Sequence, residues 1–309
     1  MHNVALLSCS SYGLQRLTSR LETMLAALGG LEAVQGKRVV LKPNLISASH
    51  GPLPCTEGAF VLAAAKFFIQ KGAVVCVGDS PAFGSARSSL ARLGILSELL
   101  SLGVSVSDFR QSRSVLLPSG TRARIARQAL DCDLLVNMPR VKAHAQARVT
   151  LAVKNCFGCL TGLQKPLWHM VYGGQRGSFA QLLLELLDVL PPTLTLVDGI
   201  RAMHGTGPMK GRPYPLRLVA AGWNPLAVDT ALLQVLGVDW ADSPLHQAAR
   251  KMELPGATMR ELTFPLSRPE ELAVDDFCVP VHLAPIRFRI FSFFYSSIKR
   301  TLLTLASRK

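Results

Sequence analysis

Residues 141 to 169 read VKAHAQARVTLAVKNCFGCLTGLQKPLWH and hold Lys142, His144, Lys154, Lys165 and His169. No Asp or Glu accompanies them, because the 51 residues between Asp133 and Glu185 contain neither. Cations without acidic neighbours favour an anionic ligand such as a phosphate or carboxylate. Histidine is the side chain best suited to moving a proton near neutral pH, which makes His144 and His169 candidate acid–base groups beside Lys154. A helix starting within Ala147–Val153 and running on through Lys154 and Asn155 is expected. It places Thr150 and Lys154 four residues apart on one face, where both can grip a single anion. Cys156-x-x-Cys159 has the spacing of a redox pair or of half a zinc site. The other cysteines, at 9, 55, 76, 132 and 278, are isolated, so buried thiols are the better reading and no metal ligands are assigned.

The remaining chemistry-bearing residues follow short apolar runs. Arg38–Leu41 leads into Lys42-Pro43-Asn44, Ala73–Val77 into Gly78-Asp79-Ser80-Pro81, Leu134–Val136 into Asn137-Met138-Pro139, and Leu194–Val197 into Asp198-Gly199. In an open α/β sheet, ligands bind outside the carboxyl ends of the strands, so these four ends define one candidate cleft. Single Asp, Asn, Gly or Pro residues there are ordinary turn formers, and it is their joint occurrence that argues for a site. Further on, Gly205-Thr-Gly207-Pro208-Met-Lys210-Gly211-Arg212 can offer backbone N–H groups and two cations to an anion. It matches neither the phosphate-binding loop nor the dinucleotide fingerprint.

The elements that must position these residues alternate. Strand-like runs at Val4–Leu7, Val104–Val106 and Leu216–Val219 join the four above, with helical spacing over Leu14–Leu28, Gly58–Gln70, Ala86–Leu100, Phe179–Leu190 and Leu226–Leu236. The alternation predicts an α/β fold, a mostly parallel sheet flanked by helices, followed by a C-terminal amphipathic helix. Residues 1–282 are expected to form the α/β domain, as one body or two lobes, and 283–309 a basic tail.

Composition sets the remaining bounds. With 49% apolar and 17% charged residues over 309 positions, the chain can bury a large core. Its net charge of +14 requires an anionic partner somewhere, and Arg287, Arg289, Lys299, Arg300, Arg308 and Lys309 supply six of those charges. In residues 286–309 a helix puts Ile290, Phe291, Phe294, Tyr295, Ile298, Leu302 and Leu305 on one face, suited to an anionic membrane surface, to a protein partner, or to packing on the chain's own core. Seven dispersed cysteines, a first segment without a secretory pattern and the lack of an 18-residue uncharged apolar run point to the cytoplasm, with peripheral attachment at the inner face of the membrane as an option.

Taken in order, these motifs resemble the domain-of-unknown-function 362 family. Its run is similar to Lys42-Pro43-Asn44, Thr56, Gly78-Asp79-Ser80-Pro81, Asn137-Met138-Pro139 with Lys142 and His144, and Thr150 with Lys154-Asn155 and Gly158. Asp198-Gly199-Ile200, Gly205-Thr206-Gly207-Pro208 with Gly211, and Pro225-Leu226-Ala227-Val228-Asp229 complete it, so that coverage runs from about residue 38 to 240. The resemblance adds Thr56, Gly158 and Asp229 to the binding candidates. Many family members carry a two-cluster ferredoxin module, but this chain lacks its cysteines, so no iron–sulfur cofactor is carried over and the cofactor stays unassigned. A looser similarity to the nickel-pincer lactate racemases, in which a lysine and histidines serve a pyridinium-type cofactor, is an analogy only.

The function expected is that of an enzyme-like protein whose strand-end cleft binds a small anionic substrate or phosphorylated cofactor, with redox or proton-transfer chemistry, hence an oxidoreductase or isomerase. Lys154, His144, His169 and Asp198 are its candidate catalytic residues. Lys42, Asn44, Thr56, Asp79, Ser80, Asn137, Lys142, Thr150, Asn155, Gly158, Gly207, Gly211 and Asp229 are its candidate binding residues. The alternative is a non-catalytic accessory protein of a membrane or redox complex, docked through the basic tail. Nucleic acid ranks last, because the cations are not interleaved with aromatics.

Overall fold

The computed structural model describes residues 1–31, 33–46, 51–82, 84–173 and 178–283; the helix expected over 286–309 lies outside them. The elements are β1 (His2–Ser8), α1 (Leu14–Ala27), β2 (Arg38–Pro43), α2 (Gly58–Gln70), β3 (Val74–Gly78), α3 (Ala86–Arg92), α4 (Leu96–Ser101) and β4 (Ser105–Ser107). There follow β5 (Ser112–Leu116), β6 (Arg122–Ala126), α5 (Arg127–Leu130), β7 (Leu134–Met138), β8 (Arg140–His144), β9 (Arg148–Thr150), α6 (Ala152–Cys156), α7 (Gln164–Val171) and α8 (Ser178–Val189). The last are β10 (Thr193–His204), β11 (Arg212–Tyr214), β12 (Leu218–Gly222), α9 (Pro225–Val235), α10 (Pro244–Lys251) and β13 (Leu262–Thr263).

The main sheet has the order β13-β1-β12-β10-β7-β2-β3-β4, and along this path only β12 runs against its neighbours. Strands β2, beyond Arg38, and β7 are buried on both faces because helices cover both sides, as central parallel strands require. One face packs under α1 and α2 through Leu17, Leu21, Phe60 and Phe68, and the other under α8 and α10 through Leu183, Leu186 and Ala249. The helical pattern expected over Ala86–Leu100 divides into α3 and α4 at Gly94, whose φ of 76° no right-handed helix accommodates.

One expectation fails. Thr150 belongs not to a helix but to β9, where it pairs with Lys142 across the β8–β9 hairpin. The β-branched pair Val149-Thr150 favours strand, and α6 starts only at Ala152, where a distant carboxylate caps it. Asp229 on α9 accepts the Ala152 and Val153 amides at 2.6 and 3.1 Å. Thr150 and Lys154 are therefore not helical i, i+4 neighbours.

Candidate functional site

The carboxyl ends of β2, β3 and β7, the β8–β9 hairpin and the short helix α6 converge on a set of buried polar side chains. Lys42, Asn44, Thr56, Asp79, Asn137, Lys142, His144, Thr150, Lys154 and Asn155 are all buried. Burying this much polarity is tolerable only where the groups bond to one another.

The floor of the site does so. Lys42 Nζ lies 2.9 Å from Asp79 Oδ1 and donates to the Pro43 carbonyl at 3.0 Å and to Asn155 Oδ1 at 3.4 Å. Asp79 Oδ2 accepts the Leu45 amide at 2.9 Å. Asn155 Nδ2 donates to Asn137 Oδ1 at 2.8 Å, and Asn137 Nδ2 to the Ala152 carbonyl at 2.9 Å, so the two amides lock α6 onto the ends of β2 and β7. Lys142 Nζ donates to Asn44 Oδ1 at 2.9 Å and to the Pro54 carbonyl at 2.8 Å. Thr56 hydroxyl donates to the Met138 carbonyl at 2.7 Å and accepts the Asn44 amide at 2.8 Å. Gly158 closes the floor: a Cβ there would stand 2.4 Å from Asp79 Oδ1 and 2.6 Å from Lys42 Nζ. Gly158→Ala is accordingly expected to split that ion pair at a cost of about 1–3 kcal/mol, the usual range for overpacking, measurable as a fall in melting temperature.

Above the floor the charges do not cancel. Lys154 Nζ rests 4.2 Å from the Phe157 ring centroid and 5.0 Å from that of Phe179. Among the described residues it has no acidic or hydrogen-bonding partner. Burial, then Lys142 and Lys165, lower its pKa to about 7. Lys142 is brought to about 8, chiefly by burial, and Lys165 likewise, while the Lys165 ammonium donates to the Ser80 carbonyl. Both histidines are held neutral: burial, then Lys154 and Lys142, push His144 well below its ordinary range, and burial, then Lys154 and Lys165, push His169 to about 2.

Gln146 sets the tautomers. Its amide and that of Ala147 donate to His144 Nδ1 at 3.1 and 3.2 Å, which leaves the ring proton on Nε2. The Gln146 side-chain amide donates to the Gly173 carbonyl, so Oε1 faces His169 Nδ1 at 2.8 Å and accepts its proton. One imidazole thus carries its proton on Nε2 and the other on Nδ1.

Other predicted residues are placed elsewhere. Asp198 is fully engaged: Oδ1 accepts the Tyr12 hydroxyl at 2.7 Å, and Oδ2 accepts Arg140 Nη1 and the Glu57 amide, each at 2.9 Å. It clamps β8 against β10, and burial, then Asp198, raise the Tyr12 pKa. Asp229 caps α6, with its carboxyl raised to about 8 by burial. Gly207 lies so close to β8 that a Cβ would meet the Ala143 carbonyl, and a Cβ on Gly211 would meet Met203. Lys210 and Arg212 in that loop are exposed. His204 packs on Tyr214 and Phe277. Cys156 and Cys159 are buried free thiols; burial pushes Cys156 well above its ordinary range and Cys159 to about 12, the opposite of a reactive thiolate. Two concavities of about 460 and 380 Å³, beside α1 and α2 and at the amino ends of β2–β4, share no residue with this cluster.

Sequence reasoning did not assign roles to Gln146, Phe157, Phe179 or Lys165. Lys165 is one more cation in an acid-free stretch, and nothing in the residue type or spacing of the phenylalanines marks them.

A family model described as Domain of unknown function (DUF362) matches residues 39–234. A thylakoid-associated protein of Synechocystis sp. is 38% identical over 290 residues, covering 93% of this chain and 90% of its own. Among solved structures, a lactate racemase apoprotein from Thermoanaerobacterium thermosaccharolyticum aligns over 62% of this chain and 50% of its own, with TM-score 0.40 and 18% identity. A SAM-dependent methyltransferase from Agrobacterium tumefaciens aligns over 69% and 60%, with TM-score 0.24 and 12% identity. The chain thus spans half of the racemase's length.

Proposed function

The chain belongs to the DUF362 family, and we propose that it binds a small anionic substrate or phosphorylated cofactor at its strand ends and transfers a proton there. The observation that carries this reading is Lys154, a buried amine with cationic neighbours and, among the described residues, no counter-ion. An anion seated against Lys154 supplies the missing charge. The energetic strain of burying an uncompensated cation is then relieved by the ligand.

The histidines supply the proton path. His144 presents Nε2–H as a donor, while the Nε2 lone pair of His169 is the basic nitrogen of that ring. In the ligand-free protein burial, and after it the lysines, make His169 a weak base. A bound anion offsets Lys154 and Lys165, the two cations that hold the His169 pKa down, and so raises its basicity at the moment substrate is present. Lys42, Lys142, Asn137 and Asn155 position this layer. Asp198 acts one step further out, by holding Arg140 and β8 in place.

A panel of phosphorylated and carboxylated metabolites, screened by thermal shift at pH 6.5, tests the reading. A saturating ligand at about a hundredfold excess over its Kd should stabilise the protein by roughly 2.7 kcal/mol. The effect should fade above pH 7 as Lys154 loses its proton, and a flat response across the panel at every pH would count against the site.

A second reading is favoured by the Synechocystis relative, whose name places it at a thylakoid. In that reading the chain is a peripheral, non-catalytic accessory at a membrane or redox complex, held by the basic segment 286–309. Among the described residues no helix is long and apolar enough to cross a bilayer.

A further inference from the structure

Helix α7 has two unlike sides. Its inner side buries Trp168 and carries Lys165 and His169 of the cation cluster. Its outer side is bare: Leu163, just before the helix, and Leu167, Met170 and Val171 along it are 63, 49, 51 and 44% exposed. Their spacing of i, i+4, i+7 and i+8 is that of one helical face, which a globular protein normally turns inward. A contiguous apolar patch on the surface marks an interaction site.

The β5–β6 hairpin is tied to the same helix. Gln164 Oε1 accepts the Arg124 amide and Gln164 Nε2 donates to the Arg122 carbonyl, both at 2.6 Å, and the Thr161 amide donates to the Arg124 carbonyl at 3.0 Å. Cross-strand pairing puts Leu116 opposite Arg122 and Ser114 opposite Arg124. Leu116 is 59% exposed, and both arginines are exposed with no ion pair among the described residues. Arg113, on the same hairpin, is already paired with Asp131. An aliphatic stripe thus stands beside two uncompensated guanidinium groups.

We propose that the outer side of α7, together with the β5–β6 hairpin, docks on an anionic lipid bilayer. The helix lies in the interface plane, with its aliphatic side chains at the acyl boundary and Arg122 and Arg124 among the phosphates. Protein-binding patches concentrate rigid Trp and Tyr anchors. This stripe offers only Leu, Met and Val, which suit fluid acyl chains. The proposal rests on the membrane reading above but moves the contact from the tail to a folded face, one whose reverse carries His169 and Lys165.

Co-sedimentation of the full chain with vesicles of equal parts phosphatidylglycerol and phosphatidylcholine, against phosphatidylcholine alone, tests it. The wild-type chain should pellet with the anionic vesicles and be released by salt. Leu167→Ser with Met170→Ser should weaken partition tenfold or more, and so should Arg122→Gln with Arg124→Gln, by about thirtyfold for the pair at low ionic strength. The arginine pair is fully surface-borne, so it remains informative if the helix variant loses stability. Loss of binding in these two variants supports the proposal, whatever Phe291→Ser with Phe294→Ser in the tail does. If only the tail variant loses binding, the proposal is overturned while the membrane reading stands. If the wild-type chain pellets with neither vesicle, both fall.

Discussion

Lys154→Met is expected to raise the melting temperature of the ligand-free protein while abolishing its response to anions. The lysine is buried, its ammonium has Lys142 and Lys165 as neighbours, and among the described residues only the faces of Phe157 and Phe179 offset that cost. Its pKa near 7 lies below that of a lysine in the unfolded chain, so between pH 7 and about 10.5 the unfolded state binds the extra proton. Stability therefore rises with pH across that window, and below it the full penalty is present. Methionine fills a similar volume without the charge, and should recover on the order of 3 kcal/mol at pH 7 or below. That gain should shrink steadily as the pH is raised towards 10. Thermal denaturation of both proteins from pH 6 to 9.5, with and without the best anion from the panel, gives the answer. A fall in melting temperature at neutral pH would make Lys154 a packing residue and remove the basis of the proposed site.

The opposite sign is expected one layer down. Lys42→Met deletes the cation that faces Asp79 at 2.9 Å, in a pair whose side chains are 1% and 5% exposed. The carboxylate keeps its bond from the Leu45 amide but loses its counter-charge in a place water does not reach. Breaking a buried pair by removing one partner costs about 3–5 kcal/mol, which for a domain of this size lowers the melting temperature by roughly 10 °C. Adding Asp79→Asn should restore a large part of the loss, since the amide oxygen still accepts from Leu45 and no charge is left alone. Urea denaturation of the two single variants and the double variant measures the coupling directly, and additive losses would show that the two side chains do not act as a pair.

Lys42 and Lys154 were indistinguishable in the sequence, two lysines each at the edge of an apolar stretch. Folding gives them opposite roles, because Asp79, 37 residues from Lys42, arrives beside one and, among the described residues, no acid arrives beside the other. The β-branched and apolar runs were legible at Arg38–Leu41, Leu134–Val136 and Leu194–Val197, since buried parallel strands leave an unbroken apolar pattern whatever their partners. Thr150 was misplaced because the start of α6 is set by Asp229, 77 residues away, which no local propensity can register. Asp198 was legible as a strand-end candidate, but not its partners: its oxygens are taken by Tyr12, Arg140 and Glu57, from three separate parts of the chain.

The sequence by itself determined the alternation of strand and helix, the family, and the surplus of positive charge in an acid-free stretch from Val141 to His169. These follow from residue type and local spacing, and they survive any arrangement of the elements. Only the tertiary structure decided which cations are neutralised, which histidine nitrogen carries a proton, and why the Cys156 and Cys159 thiols are held above their ordinary pKa. Each of those depends on burial and on partners distant along the chain, and the cost of desolvating a charge is set by the fold around it.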